Sequence, residues 1–334
     1  MKKAVLTIVV PCYNEEEVLS ETISRLTNLL AEMKQDGLIN EKSNILFVDD
    51  GSRDQTWAII ESYVKTSPAI TGLKLSRNFG HQGALLAGLE TAYRYADCVV
   101  SIDADLQDDI LAIREFVIKY NEGYDVVYGV RDKRDTDTAF KRRTALAFYR
   151  FMNKMGVKLV PNHADFRLLS SRALGEFLKY QEENMFIRGI IPLLGFKSTK
   201  VYYNRAERFA GESKYPLKKM ISFALDGITS FSIAPIRFVS SLGFFVTVIS
   251  IIMAIYTLVQ KTLGNVESGW TSLILSIWFI GGVQLMAIGV LGEYIGKIFK
   301  ETKRRPRFTI ETDLYSIGFQ MKDEREKEMI GEHN

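Results

Sequence analysis

Asp103 and Asp105 stand two residues apart just beyond an apolar run, Cys98-Val99-Val100-Ser101-Ile102, that reads as a buried parallel strand. Side chains two apart on a strand point the same way. The two carboxylates can therefore share one Mg²⁺ or Mn²⁺ as hard oxygen ligands and leave coordination positions open for substrate phosphates. That is the metal geometry of a nucleotide-sugar enzyme. The competing reading is a solvated acidic loop after a strand, and the rest of the chain has to decide between them.

The elements that must position these carboxylates alternate along the first two hundred residues. Val5–Pro11 is apolar and β-rich, and Glu16–Met33 has helical spacing through Val18, Ile23, Leu26, Leu29 and Leu30. Asn44–Val48 is a second strand ending at Asp49-Asp50-Gly51-Ser52. A helix over Thr56–Tyr63, a strand near Gly72–Leu75, a helix from Gly83 to Tyr95, the strand before Asp103, a helix over Ile110–Tyr120 and a strand at Val126–Gly129 follow. This alternation predicts a parallel, three-layer α/β sheet, with ligands at the carboxyl ends of the strands. Tyr13, Asn14, Glu15, Asp49, Asp50, Arg77, Asn78, Asp103 and Asp105 all fall at such ends.

The chain has 334 residues, 47% hydrophobic and 25% charged, room for one large core domain and something more. No charged residue occurs from Phe238 to Gln260 or from Ser268 to Gly292. Each run exceeds the roughly 20 residues that cross a bilayer, so two transmembrane helices are expected. Lys218, Lys219 and Arg237 precede the first run; Lys297, Lys300, Lys303, Arg304, Arg305 and Arg307 follow the second. This asymmetry predicts a multi-pass protein of the cell membrane with both termini and the catalytic domain in the cytoplasm. Met1-Lys2-Lys3 resembles a signal-peptide start, but the following apolar run ends in Tyr13-Asn14-Glu15 without a cleavage site and reads as the first strand. Cys12 and Cys98 lie in or beside buried strands and are expected to be reduced core residues. A net charge of +3 argues against nucleic acid as a partner, and the basic residues beside the membrane suit anionic lipid.

Neither Gly-x-Gly-x-x-Gly nor Gly-Lys-Ser/Thr occurs, which counts against dinucleotide binding and P-loop chemistry. What does occur, in order, is Pro11-Cys12-Tyr13-Asn14-Glu15, Val48-Asp49-Asp50-Gly51-Ser52, Asp103-Ala104-Asp105-Leu106-Gln107 and Arg208-Phe209-Ala210-Gly211-Glu212-Ser213-Lys214. In these motifs, followed by two apolar spans, nearly the whole chain resembles glycosyltransferase family 2, and more narrowly its polyprenyl-phosphate glycosyltransferases. The resemblance implies a GT-A fold: a Rossmann-like, parallel-sheet α/β catalytic domain with two C-terminal transmembrane helices. It implies that Pro11, Tyr13, Glu15, Asp50 and Asp49 hold the uridine of a UDP-sugar, with Asn78 nearby. Asp103, Asp105 and Gln107 would bind Mg²⁺ or Mn²⁺ directly or through water, and Arg208 and Lys214 would close over the diphosphate. Strand packing for Tyr13 and turn capping for Asp49 are the alternatives, and the Asp54 turn reads equally as a helix cap.

On the acceptor side, Arg131 follows the Val126–Gly129 strand, and Lys141-Arg142-Arg143 opens a helix with an apolar face. Arg131, Arg142 and Arg143 can hold a lipid phosphate at the membrane surface; a solvated basic helix face is the alternative. Asp165 is the candidate catalytic base or sugar-hydroxyl ligand, against a plain ion pair with Arg167.

The reading is a metal-dependent, inverting transfer of a hexose, glucose favoured, from a UDP-sugar to undecaprenyl phosphate in the bilayer, for cell-wall, lipopolysaccharide or teichoic acid glycosylation. Expected with it are a homo-oligomer and a flippase and downstream transferase in the same pathway. The domains expected are 1–215 (catalytic), 216–233 (interfacial helix), 234–297 (spans near 235–260 and 269–295) and 298–334 (basic cytoplasmic tail). A processive polysaccharide synthase or a catalytically silent membrane scaffold are the competing classes.

Overall fold

The computed structural model describes residues 3–131, 163–182, 186–204, 234–263 and 269–318. The chain divides into two compact units, one containing the described strands and the other the two long C-terminal helices.

In the first unit, β1 (Leu6–Cys12) and β2 (Asn44–Asp49) are buried along their whole length, as near-continuous apolar runs require when both faces of a sheet are covered. α1 (Leu19–Gln35) buries Leu19, Ile23, Leu26, Leu30 and Met33, a spacing of three and four that lays one face on the core. α2 (Thr56–Thr66), β3 (Ile70–Leu75), α3 (His81–Tyr93), β4 (Cys98–Ser101), α4 (Ala112–Asn121) and β5 (Val126–Arg131) complete the alternation expected from the periodicity. α3 lies directly on the central strands because Gly88 lets it: a Cβ there would come within 2.4 Å of Val9 Cγ1 and 2.8 Å of Val48 Cγ2.

After these come β6 (His163–Ser170), α5 (Ser171–Phe177), α6 (Ile187–Ile190), a 3₁₀ turn (Ile191–Leu194), β7 (Ser198–Tyr203) and β8 (Ile310–Asp313). The eight-stranded order is β7-β5-β6-β4-β1-β2-β3-β8. β4, β1, β2 and β3 run parallel, as do β5 and β7.

Two strands correct the expectation of a uniformly parallel sheet. β6 is antiparallel to both β4 and β5. Its sequence hides this, because Asp165 and Arg167 are polar residues two apart on a buried strand, and only their pairing makes burial tolerable. β8 is antiparallel to β3 and was expected to be part of a basic tail. Instead, Ser76 N–H donates to Thr309 O at 3.0 Å, Lys74 meets Glu311 at 2.8 Å, and the buried Tyr315 hydroxyl lies 2.9 Å from Thr7 Oγ1.

In the second unit, α7 (Ala234–Thr262) contains the first uncharged run, and α8 (Trp270–Lys303) holds most of the second and continues through Glu293, Lys297, Lys300, Glu301 and Lys303. Their 29 and 34 residues exceed the length that spans a hydrocarbon core. Phe244, Phe245, Leu285 and Met286 are exposed on them. Among the described residues, one helical stretch, Phe279–Lys303, is both long and apolar enough to cross a membrane, and none of its apolar part is buried in the protein. The expected helix at 216–233 lies outside the described residues.

Candidate active site

Because β1, β2, β3 and β4 are parallel, the loops after Cys12, Asp49, Leu75 and Ser101 emerge at one edge of the sheet. β6 enters the same edge from the opposite direction. Ser101 is level with Arg167 in its register, so Asp165, two residues toward the start of β6, is carried toward the level of Asp103. Antiparallel insertion thus brings Asp165 to the metal-type carboxylates, which no local pattern in the chain reveals.

Asp103 leaves 37% of its side chain open, while its Oδ1 is buried and has no hydrogen-bond partner. Burial pushes its carboxyl pKa up, and the charges of Asp165, Asp108 and Asp105 push the same way against the opposing pull of His81. An unbonded buried oxygen in an electronegative site fits a cation ligand. Asp105 turns back on its own loop, accepting from Gln107 N–H at 3.2 Å, and Leu106 between them takes a left-handed φ of 55° that shapes the turn. Among the described residues no group of three His, Cys, Asp or Glu side chains forms a metal cage. A metal here would be held by Asp103, Asp105 and substrate oxygens, the arrangement usual for Mg²⁺ at a phosphate site.

Asp165 is almost fully buried, accepts hydrogen bonds from two arginines and has His81 at ion-pair distance. Arg167 Nη2 lies 2.5 Å from Oδ1, Arg188 gives Nε to Oδ1 at 3.1 Å and Nη2 to Oδ2 at 2.8 Å, and His81 Nε2 stands 3.4 Å from Oδ2. Burial alone would raise its pKa; the neighbouring His81 and the two guanidinium charges outweigh it and hold the carboxyl well below the ordinary range. The ion-pair reading of Asp165 is therefore present in the fold, and so anionic a carboxylate is a weak base. Sequence reading missed His81 and Arg188, which reach Asp165 from α3 and α6.

At the other end of the edge, Asp49 and Asp50 are buried. Asp49 accepts from Ser52 N–H at 3.3 Å, which is the turn-capping alternative, and burial raises its pKa despite that bond. Asp50 accepts from Phe79 N–H at 2.7 Å, tying this loop to the one that starts α3. Gly51, at φ +65°, is required between them: a Cβ would sit 2.5 Å from the Arg77 carbonyl carbon. Pro11 is buried at the end of β1 and Tyr13 is 40% exposed. Glu15 N–H donates to Thr56 Oγ1 at 2.9 Å, and Asn78 Oδ1 accepts from Gly80 N–H at 3.0 Å. Asp54 accepts from Glu16 N–H at 3.2 Å and from Thr56 N–H at 3.0 Å, a loop-tying role.

Residues 7–178 match the model of the family described as glycosyl transferase family 2, and residues 234–298 match a GtrB C-terminal hairpin. The chain belongs to glycosyltransferase family 2. It is 58% identical over 98% of its length, and 97% of the relative's, to an uncharacterized glycosyltransferase, YkoT, of Bacillus subtilis (strain 168). It is 40% identical over 92% of its length to the bactoprenol glucosyl transferase of Shigella phage SfV, covering 98% of it, and to the SfII prophage-derived bactoprenol glucosyl transferase of Shigella flexneri, covering 97%. The parallel-dominated α/β fold is the GT-A-like fold of that family.

In this glycosyltransferase the expected acceptor cation Arg131 pairs with the buried Asp108, Nη2 to Oδ1 at 3.4 Å, and Tyr203 donates its hydroxyl to the same oxygen at 2.7 Å. Burial lowers the Arg131 pKa, and the Asp108 charge more than restores it, so the guanidinium stays charged. Arg142, Arg143, Arg208 and Lys214 lie outside the described residues. Cys12 and Cys98 are buried free thiols pushed up by burial, hence inert core groups.

Proposed function

We propose that this glycosyltransferase moves a hexose, glucose before other sugars, from a UDP-sugar to undecaprenyl phosphate at the cytoplasmic face of a membrane, with inversion. The observation that carries the reading is the half-open Asp103 carboxylate with its unbonded buried oxygen. It belongs to a chain that is 40% identical over 92% of its length to bactoprenol glucosyl transferases. Tyr13 stacks on the uracil, and Glu15 and Asp50, with Pro11, Asp49 and Asn78, surround the uridine. Asp103, Asp105 and Gln107 would hold Mg²⁺ or Mn²⁺, directly or through water, and the ion would supply charge neutralisation for the departing diphosphate. Arg208 and Lys214 add to that neutralisation. Arg131, Arg142 and Arg143 hold the acceptor phosphate.

The acceptor needs no strong base. A phosphate monoester has its second pKa near about 6, so it is mostly a dianion at neutral pH and attacks the anomeric carbon as it stands. Asp165, fastened by two arginines and a histidine, organises those groups rather than taking a proton.

α7 and α8 are assigned as two spans within 234–297, led by an interfacial helix at 216–233, with the catalytic residues up to 215 and the residues from 298 on the cytoplasmic side. The protein would act as a homo-oligomer, ahead of a flippase and a downstream transferase that modify a cell-envelope glycan. The test is incubation of purified full-length protein with undecaprenyl phosphate, Mg²⁺ or Mn²⁺ and a panel of labelled nucleotide sugars. A single sugar on the lipid, with UDP-glucose best, is expected. No lipid-linked product from any donor would refute the reading, and chains of several sugars would favour a processive synthase.

A further inference from the structure

We infer that His81 is a positioning residue that holds the Asp103 carboxylate in its metal-binding orientation, a role that rests on the metal reading of Asp103 given above. His81 is the first residue of α3, and two features fix where that helix starts. Gly80 precedes it at φ +84°, and Asp50 accepts the Phe79 N–H at 2.7 Å. The imidazole is thereby held beside Asp103 and Asp165. There Nε2 stands 3.7 Å from Asp103 Oδ1 and 3.4 Å from Asp165 Oδ2.

The far side of this bridge is anchored more firmly than the near side. Arg167 and Arg188 both bond Asp165, and the Ser101 hydroxyl donates to the Asp165 carbonyl from the neighbouring strand. Asp165 cannot turn without breaking these contacts, so it presents a fixed acceptor to the imidazole. Asp103 has no comparable hold on its Oδ1. The same nitrogen, Nε2, faces both carboxylates, and the ion-pair contact with the firmly held Asp165 sets where it stands against Asp103, so it restricts the rotation of the more loosely held carboxylate, which is what outer groups around a metal ligand do. The bridge also gives the buried Asp165 cluster a purpose that does not require proton transfer.

The experiment measures Mn²⁺ binding to full-length protein in detergent with UDP present, followed by the electron paramagnetic resonance of free Mn²⁺. The chains compared are the unchanged one, Asp103→Asn, His81→Ala and His81→Gln, each checked by thermal melting. Loss of an outer-shell partner typically weakens metal affinity by about 10- to 100-fold. His81→Ala is expected in that range, and His81→Gln, which keeps an N–H donor at similar reach, at a smaller loss. Affinity unchanged in both His81 variants while Asp103→Asn is weakened would overturn the positioning role and leave the metal reading standing. Unchanged affinity in Asp103→Asn as well would overturn both. Should His81→Ala fail to fold, His81→Gln decides alone: measurable weakening supports the role, and unchanged binding overturns it.

Discussion

Arg188 grips Asp165 at both carboxylate oxygens, Nε 3.1 Å from Oδ1 and Nη2 2.8 Å from Oδ2, while Arg167 bonds Oδ1 from the same strand. The fork geometry makes Arg188 irreplaceable by a point charge. Asp165→Asn removes the charge that both guanidiniums face, and Arg167, only 1% exposed, loses the carboxylate it bonds. Breaking a buried pair in this way costs about 3–5 kcal/mol, so a lowered melting temperature is expected. Activity should fall but persist, with the remaining rate still rising through the acceptor phosphate's own titration. A folded Asp165→Asn protein with no turnover and normal binding of both substrates would make that charge essential to the chemistry.

Asp105→Asn should remove most glycolipid formation and leave the fold intact, since the Asp105 side chain works at the open end of the site and its bond to Gln107 N–H survives in an amide. Circular dichroism and product assay on the same preparation check it. Near-normal product from well-folded protein would exclude Asp105 from metal binding.

Gly88→Ala tests the seat of α3. The added methyl would gain about 1 kcal/mol of helix propensity, yet it must displace Val9 and Val48, whose methyl carbons lie 2.4 and 2.8 Å from the new Cβ. Overpacking of this kind costs about 1–3 kcal/mol, so the clash should win. Thermal melting is expected to show destabilisation, relieved in Gly88→Ala/Val9→Ala.

Asp125 predicts acid sensitivity at the far edge of the sheet. It bonds Arg172 Nη2 at 2.5 Å and the Ser170 hydroxyl at 2.8 Å. Burial would raise its pKa, but these partners outweigh burial and lower it. A carboxylate lowered in the folded state stabilises above its unfolded value, about 3.9, and the gain disappears as pH falls through the folded value. The melting-temperature gap between the unchanged protein and Asp125→Asn should be constant from pH 7 to about 5 and close below about 4. A gap independent of pH would mean the pair adds nothing through its charge.

Strand–helix alternation up to Arg131 was readable from the chain because period-two and period-3.6 patterns are local, and each element buries its own apolar face. The same locality placed Asp49, Asp50, Asp103 and Asp105 at strand ends, since in a parallel sheet every strand's carboxyl end falls on one edge. What no local pattern holds is which distant strand fills a gap. β6 is inserted antiparallel between β4 and β5, and the β8 residues after the last long helix pair with β3. Both are decided by hydrogen-bond partners remote in the chain. For the same reason Asp165 read equally well as a base or as half of an ion pair. Only tertiary structure brings His81 from α3 and Arg188 from α6 to its oxygens, and a carboxylate's acidity is set by the charges around it rather than by its neighbours in sequence.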